Sequence, residues 1–223
     1  MKYAFHIILI LLLACSGVSE KGVEIMQPCD AGITVGIQPF GDMDTTCISE
    51  VKQAIEKHYG YTVEILDPVA LPENAYTTIR SPRYRADTLI RYLREIKPAA
   101  YDYIIGLTNK DISITKYTGS GANRKIKEPV WKYRDFGIFG LGFCPGPSCI
   151  ISTFRLSSNG ADEATMRSRL RKIAVHELGH NLGLPHCPDE HCLMQDACEK
   201  MSTIDNAEEA LCEKCKKKAG VTP

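Results

Sequence analysis

His176, Glu177, His180 and His186 fall in one run, His-Glu-Leu-Gly-His-Asn-Leu-Gly-Leu-Pro-His. Residues four apart on a helix return to nearly the same face, offset by about 40°, so His176 and His180 can point at one metal ion. Glu177 lies on the next flank, where its carboxylate can reach a water on that ion and take its proton. Such an ion lowers the pKa of its water to about 7 and polarises a carbonyl under attack, so the chemistry is metal-assisted hydrolysis. Gly183 can adopt the left-handed conformation that ends a helix and turns the chain back, which brings in His186 as a third ligand; Pro185 prevents a restart. A bare His-Glu-x-x-His also arises in helices whose histidines are merely solvated or hydrogen-bonded. The extension through Gly183 to His186 adds two specified residues at fixed offsets and makes the motif specific.

Cys187, Cys192, Cys212 and Cys215 follow directly, in the order His-Cys-x4-Cys-x-Met-x17-Cys-x-x-Cys. Thiolates in two close pairs suit a closed tetrahedral zinc site, which contributes folding energy and does no chemistry. Two disulfides are the competing reading for an exported chain. Asp205 or Thr203 is expected to cap a short helix carrying Cys212 and Cys215, with Lys214, Lys216, Lys217 and Lys218 favouring its carboxyl end. His191, between the loop cysteines, is expected to be exposed. Met194 on its own would count as core filler.

Taken together, the three histidines, Glu177, Gly183, Met194 and the four cysteines resemble the archaemetzincins, a family of the metzincin clan, at every position of that family's pattern. The resemblance continues more loosely upstream through Ala75-Tyr76, Arg83-Tyr84 and Ile104-Ile105-Gly106-Leu107-Thr108 followed by Asp111, and so spans roughly Ala31 to Lys216. It implies a zinc metallopeptidase acting on peptide or protein substrates, with Glu177 as general base. Two zinc ions are implied, a catalytic one on His176, His180 and His186 and a structural one on Cys187, Cys192, Cys212 and Cys215. Met194 becomes the Met-turn, an apolar floor under the imidazoles and not a ligand. In the clan an edge strand above the active helix pairs with extended peptide; here that strand is expected at Ile150, Ile151, Ser152, Thr153, Phe154 and Arg155. Arg155 and residues around Phe139 would line a side-chain pocket. Two alternatives stand beside the enzyme: a non-catalytic peptide-binding lipoprotein, and a surface lipoprotein that buffers zinc. Intact Glu177 argues against the first, and the site is more elaborate than metal storage requires.

The amino terminus bears on where this chemistry happens. Met1-Lys2 and the apolar run Tyr3 to Ala14 form a segment too short to span a bilayer as a mature helix. Leu12-Leu13-Ala14-Cys15 resembles a bacterial lipobox, with Leu13 less usual at its place. Residues 1–14 are then a signal peptide, Cys15 the lipidated first residue, 15–30 a tether and 31–223 a single domain. The expected location is the periplasmic face or the cell surface, held by the lipid; a plain secretory signal would give a free periplasmic or secreted protein, and an uncleaved anchor is the third possibility.

Lysine plus arginine equals aspartate plus glutamate, 27 against 27, so nothing suggests nucleic acid and the carboxyl-terminal lysines read as a solvated face. A monomer is expected. Of the 10 cysteines, Cys29, Cys47, Cys144, Cys149 and Cys198 are not assigned to lipid or zinc. Cys144 with Cys149 is the first disulfide candidate, across a Pro-Gly-Pro turn, and Cys29 with Cys47 the second.

The elements that must position the site alternate. Ile33 to Phe40 reads as a strand; Asp44 or Thr46 then caps a helix with Ile48, Val51 and Ile55 on one face, stopped by Gly60. Tyr61 to Leu66 is a strand, Ser81-Pro82 opens a helix carrying Leu89, Leu93 and Ile96, and Tyr103 to Leu107 is a third strand. Phe136 to Phe143 and Cys149 to Leu156 extend the sheet, and a helix from about Ala161 to Leu182 carries the ligands. The expected class is α/β (α+β): a mixed, mainly parallel twisted sheet with an antiparallel edge strand, an active-site helix and a zinc-bound carboxyl-terminal subdomain.

Overall fold

The computed structural model describes residues 32–196 and 200–221. The signal, lipid and tether assignments, and Cys29 and Cys198, lie outside these residues.

Strand β1 (Thr34–Pro39) opens the fold and helix α1 (Thr45–Tyr59) follows it. Asp44 caps α1 by accepting from the Thr46 N–H at 2.8 Å, and Gly60, at φ +69°, ends it. Its Ile48, Val51 and Ile55 are buried against the sheet. Strand β2 (Thr62–Ile65) returns parallel to β1.

Short strands β3 (Tyr76–Thr77) and β4 (Arg83–Arg85) come next, then helix α2 (Ala86–Ile96) and strand β5 (Tyr103–Thr108). The helix therefore does not open at Ser81-Pro82. The Arg83 guanidinium is buried against Asp111 and Asp135, and β4 is held between β3 and a later strand, so this stretch stays extended until Ala86.

Strand β6 (Ile112–Ile114) completes that connection, with Tyr84 opposite Ile112. A small hairpin of β7 (Tyr117–Thr118) and β8 (Lys125–Ile126) and a single helical turn, α3 (Val130–Tyr133), lead to β9 (Phe136–Ile138) and β10 (Gly140–Gly142). The expected single strand from Phe136 to Phe143 is thus divided. Its first half pairs with β6 in a four-stranded sheet of order β3-β4-β6-β9, and its second half joins the main sheet.

Strand β11 (Ser148–Ser152) gives the main sheet the order β10-β11-β5-β1-β2, parallel throughout except for antiparallel β10. This is the mixed, mainly parallel sheet with an antiparallel edge. The edge, however, is Gly140–Gly142 and not the segment from Ile150 to Arg155. Ile150, Ile151 and Ser152 are 0 % exposed and sit in a strand bonded on both sides, which is why that stretch is apolar. Thr153, Phe154 and Arg155 follow in a turn closed by a bond from the Leu156 N–H to the Thr153 carbonyl.

Helix α4 (Glu163–Asn181) packs against α1 and β11, capped by Asp162, which accepts from the Thr165 N–H at 2.8 Å. The chain ends in two short helices, α5 (Met201–Asn206) and α6 (Glu213–Ala219). Asp205 lies inside α5, its carboxylate bidentate on Arg169 of α4 at 2.6 and 2.8 Å, and Cys212 itself is the residue before α6. Neither Thr203 nor Asp205 caps the helix of the cysteines.

Candidate active site and cysteine cluster

One face of α4 supplies His176 and His180. At Gly183 the backbone turns with φ +85°, and His186 closes the group. Ring centroids stand 4.6 Å apart for His176 and His180, 4.9 Å for His180 and His186, and 5.4 Å for His176 and His186. The three offer one nitrogen each within 4.8 Å of one another.

The outer nitrogens of two rings are committed. His176 Nδ1 lies 2.7 Å from the Leu193 carbonyl and His180 Nδ1 2.8 Å from the Leu184 carbonyl. A carbonyl only accepts, so both Nδ1 atoms carry the proton and both Nε2 lone pairs face inward, the form a metal ligand needs. Burial, helped by neighbouring His180, pushes His176 down to about 3, and burial lowers His180 as well. Neutral imidazoles are the result.

Glu177 is 7 % exposed, and burial pushes its carboxyl up to about 8 against the pull of a hydrogen bond from the Gly142 backbone. The edge strand β10 presses directly on it. A Cβ on Gly140 would stand 2.6 Å from Glu177 Oε1, and one on Gly142 2.8 Å from the Glu177 carbonyl oxygen. Asn181 ties the same strand to α4 from the other end, its amide donating to the Phe143 carbonyl at 3.0 Å and the Ser148 carbonyl at 2.9 Å. Met194, 0 % exposed, lies against α4 where Gly179 leaves room; a Cβ there would meet its Sδ at 2.5 Å. The Gly140/Gly142 alternation and Gly179 are positions of close approach to the site that the motif does not name. Their signal was glycine inside regular elements, which marks close backbone approach.

A cleft of about 210 Å³ opens on this group. Phe139 lines it; Arg155 does not. Arg155 is bidentate on Asp111 at 2.7 and 2.8 Å, so its guanidinium is committed under the second sheet.

Cys187, Cys192, Cys212 and Cys215 also bring their sulfurs within 4.8 Å of one another. Cys187 and Cys212 are 3.8 Å apart, far beyond a disulfide bond and close to the ~3.8 Å edge of a tetrahedron of thiolates on zinc. The backbone N–H groups of Met194 and Cys212 donate to Cys192 Sγ at 3.4 and 3.3 Å, which suits a thiolate. This donor set fits a zinc ion and not two disulfides. His191 is exposed, 3.8 Å from Glu208. The expected Cys144–Cys149 bridge is absent: both thiols are free, with Cys149 buried in the core and Cys144 carried to the surface by the turn. Cys47 is a buried free thiol.

Three convergent imidazoles, a buried carboxylate beside them and an edge strand above define a metal-dependent hydrolase. Residues 31–220 match peptidase family M54, and the chain belongs to that family. Its relatives include the archaemetzincins of Haloarcula marismortui, 29 % identical over 190 residues, and of Haloquadratum walsbyi, 30 % identical over 188 residues. These alignments cover 82 % and 81 % of this chain and 97 % and 96 % of the relatives. Among solved structures, the archaemetzincin of Methanopyrus kandleri superposes with a TM-score of 0.67 at 26 % identity, covering 86 % of this chain and 96 % of that one. The archaemetzincin of Archaeoglobus fulgidus, complexed with malonate, gives 0.63 at 25 % identity, covering 83 % and 99 %. The protein is a zinc-dependent metallopeptidase with the mixed α/β fold of the archaemetzincins.

Proposed function

We propose that the chain cleaves peptide bonds with Glu177 as general base, and that it carries two zinc ions. His176, His180 and His186 would hold one, and Cys187, Cys192, Cys212 and Cys215 the other. The observation that carries this reading is a carboxylate 7 % exposed, on the residue beside His176, lining the same cleft as the three imidazoles.

Zinc, if held by His176, His180 and His186, would supply Lewis acidity toward the scissile carbonyl and the water. Glu177, whose burial alone favours the neutral form, is drawn toward the carboxylate by any cation among those rings. It takes the proton of the water and passes it to the departing amine. Among the described residues, strand β10 has one side unpaired in the main sheet and lines the cleft, so an extended peptide would add there as a further strand. Arg155 has no part in this. The cysteine cluster starts at the residue after His186, which couples the fold of the carboxyl-terminal helices to the third ligand.

Substituting Glu177→Gln tests the mechanism. The variant is expected to keep its zinc and lose at least about 100-fold in kcat against a peptide library. Turnover within threefold of the parent would overturn the general-base role.

The place of action rests on the sequence from Met1 to Cys15: a monomeric peptidase tethered by lipid at Cys15 and facing an extracytoplasmic space. Among the described residues no helix is long and apolar enough to cross a membrane. Fatty-acid labelling in a bacterial host should mark the parent and not Cys15→Ala; an unlabelled parent would mean a plain secretory signal or no processing.

A further inference from the structure

Lys172, His176 and His180 stand at four-residue intervals on α4 and line the same cleft. The Lys172 ammonium donates to the carbonyls of Ile204 at 2.9 Å and Asp205 at 3.2 Å. Both partners are neutral, and an ammonium has three donors. Among the described residues, the carboxylates that act on it are Asp205 and Glu209, and both are held by arginines. Asp205 is bidentate on Arg169 at 2.6 and 2.8 Å, and Glu209 is bidentate on Arg171 at 2.7 and 3.1 Å. Burial lowers the pKa of Lys172 even though Asp205 and Glu209 pull the other way, as expected for a cation without its own counter-charge.

Among the described residues, the acidic, lysine and arginine side chains lining the cleft are Glu177, Lys172 and Lys116. The wall around them is apolar, with Ile114, Ile173, Leu193 and Ile204. Such a surface accepts a short methylene stem ending in a negative charge, because the stem replaces water on the isoleucines and the charge finds the ammonium.

We propose that Lys172 forms a subsite for a carboxylate of the substrate, making this cleft selective for peptides that present one beside the scissile bond. The inference rests on the peptidase reading above. The carboxylate has two possible sources, an acidic side chain or the free carboxyl terminus of a peptide. The first would make the enzyme an endopeptidase with acidic preference, the second a carboxypeptidase.

Two sets of matched fluorogenic peptides separate the sources, used with the zinc-loaded full chain. One set is amidated and carries Glu or Gln at each position flanking the cleaved bond. The other keeps one sequence and ends in a free acid or an amide. In one set the carboxylate member is expected to be cleaved with kcat/KM at least about tenfold higher, mainly through KM. Lys172→Gln keeps donors for the two carbonyls and removes the charge. It should bring the ratio to within about twofold while the neutral peptide stays within threefold of its parent value, which a merely structural loss would not do. Lys172→Arg should retain the preference.

A ratio near one for the parent in both sets, or a preference unchanged in Lys172→Gln, would overturn the proposal. Absence of cleavage of any peptide would count against the peptidase reading instead. In that event fluorescence titration of the same pairs onto Glu177→Gln still decides the subsite, by whether the carboxylate peptide binds at least about tenfold more tightly.

Discussion

Gly140 and Glu177 are in contact across the cleft roof: the nearest carboxylate oxygen would be 2.6 Å from a Cβ at Gly140, well inside any real Cβ contact. The edge strand and the buried acid are therefore set against each other by the absence of a side chain, and β10 can approach α4 only as glycine.

Gly140→Ala should fold, at a cost of about 1–3 kcal/mol from overpacking. It should lose about 100-fold or more in kcat/KM, since an acid displaced by even 1 Å or so from its reacting partner is costly. Steady-state kinetics alongside a melting curve check this. Near-parental activity would mean that the Glu177 position tolerates movement of the roof.

Cys212→Ser removes a sulfur 3.8 Å from Cys187 and from the group that also holds Cys192 and Cys215. With zinc in place this loses metal-derived folding energy, so the carboxyl-terminal helices should unfold or aggregate. His186, adjacent to Cys187, should be displaced with them and affinity for the catalytic ion should drop. A variant with parental melting and full catalytic metal would show that the cysteines carry no structural ion.

Acid stability should report the Arg169–Asp205 pair. The hydrogen-bonded Arg169 guanidinium lowers the Asp205 pKa below the ordinary aspartate value of about 3.9. The folded state thus favours the carboxylate, and the stabilisation is fully present above about pH 4 and is lost as pH falls through the lowered folded value. Asp205 is itself solvent-exposed, so screening limits the pair and Asp205→Asn should be less stable by only about 0.5–1 kcal/mol at neutral pH. Denaturant melts from pH 7 to 2 should show the two proteins converging only at the acid end; a constant difference would assign the loss to packing.

Much of the site was legible because its signals are local. The ligand helix follows from His176 and His180 at one helical repeat and from Gly183, and the bounds of α1 from Asp44 and Gly60. What escaped depends on partners far along the chain. The resemblance places the edge strand at Ile150 to Arg155, although the unbroken apolar run that leads into it is what a strand bonded on both sides looks like; the true edge, Gly140-Leu141-Gly142, carries almost no strand signal because Glu177 leaves no room for a Cβ at Gly140 or Gly142. Arg83–Arg85 stays extended because Asp111 and Asp135, which lie beyond α2, bury Arg83. The Cys144–Cys149 expectation failed because spacing says nothing of which way two thiols point.

The most direct measurement is metal content followed through chelation. The purified chain should hold two zinc ions, and a mild chelator should first remove one, abolishing peptide cleavage while circular dichroism and melting change little, because the imidazole site has an open position and the thiolate site is closed. Re-addition of zinc should restore activity. A single zinc in active protein, or cleavage that survives removal of the labile ion, would contradict the account.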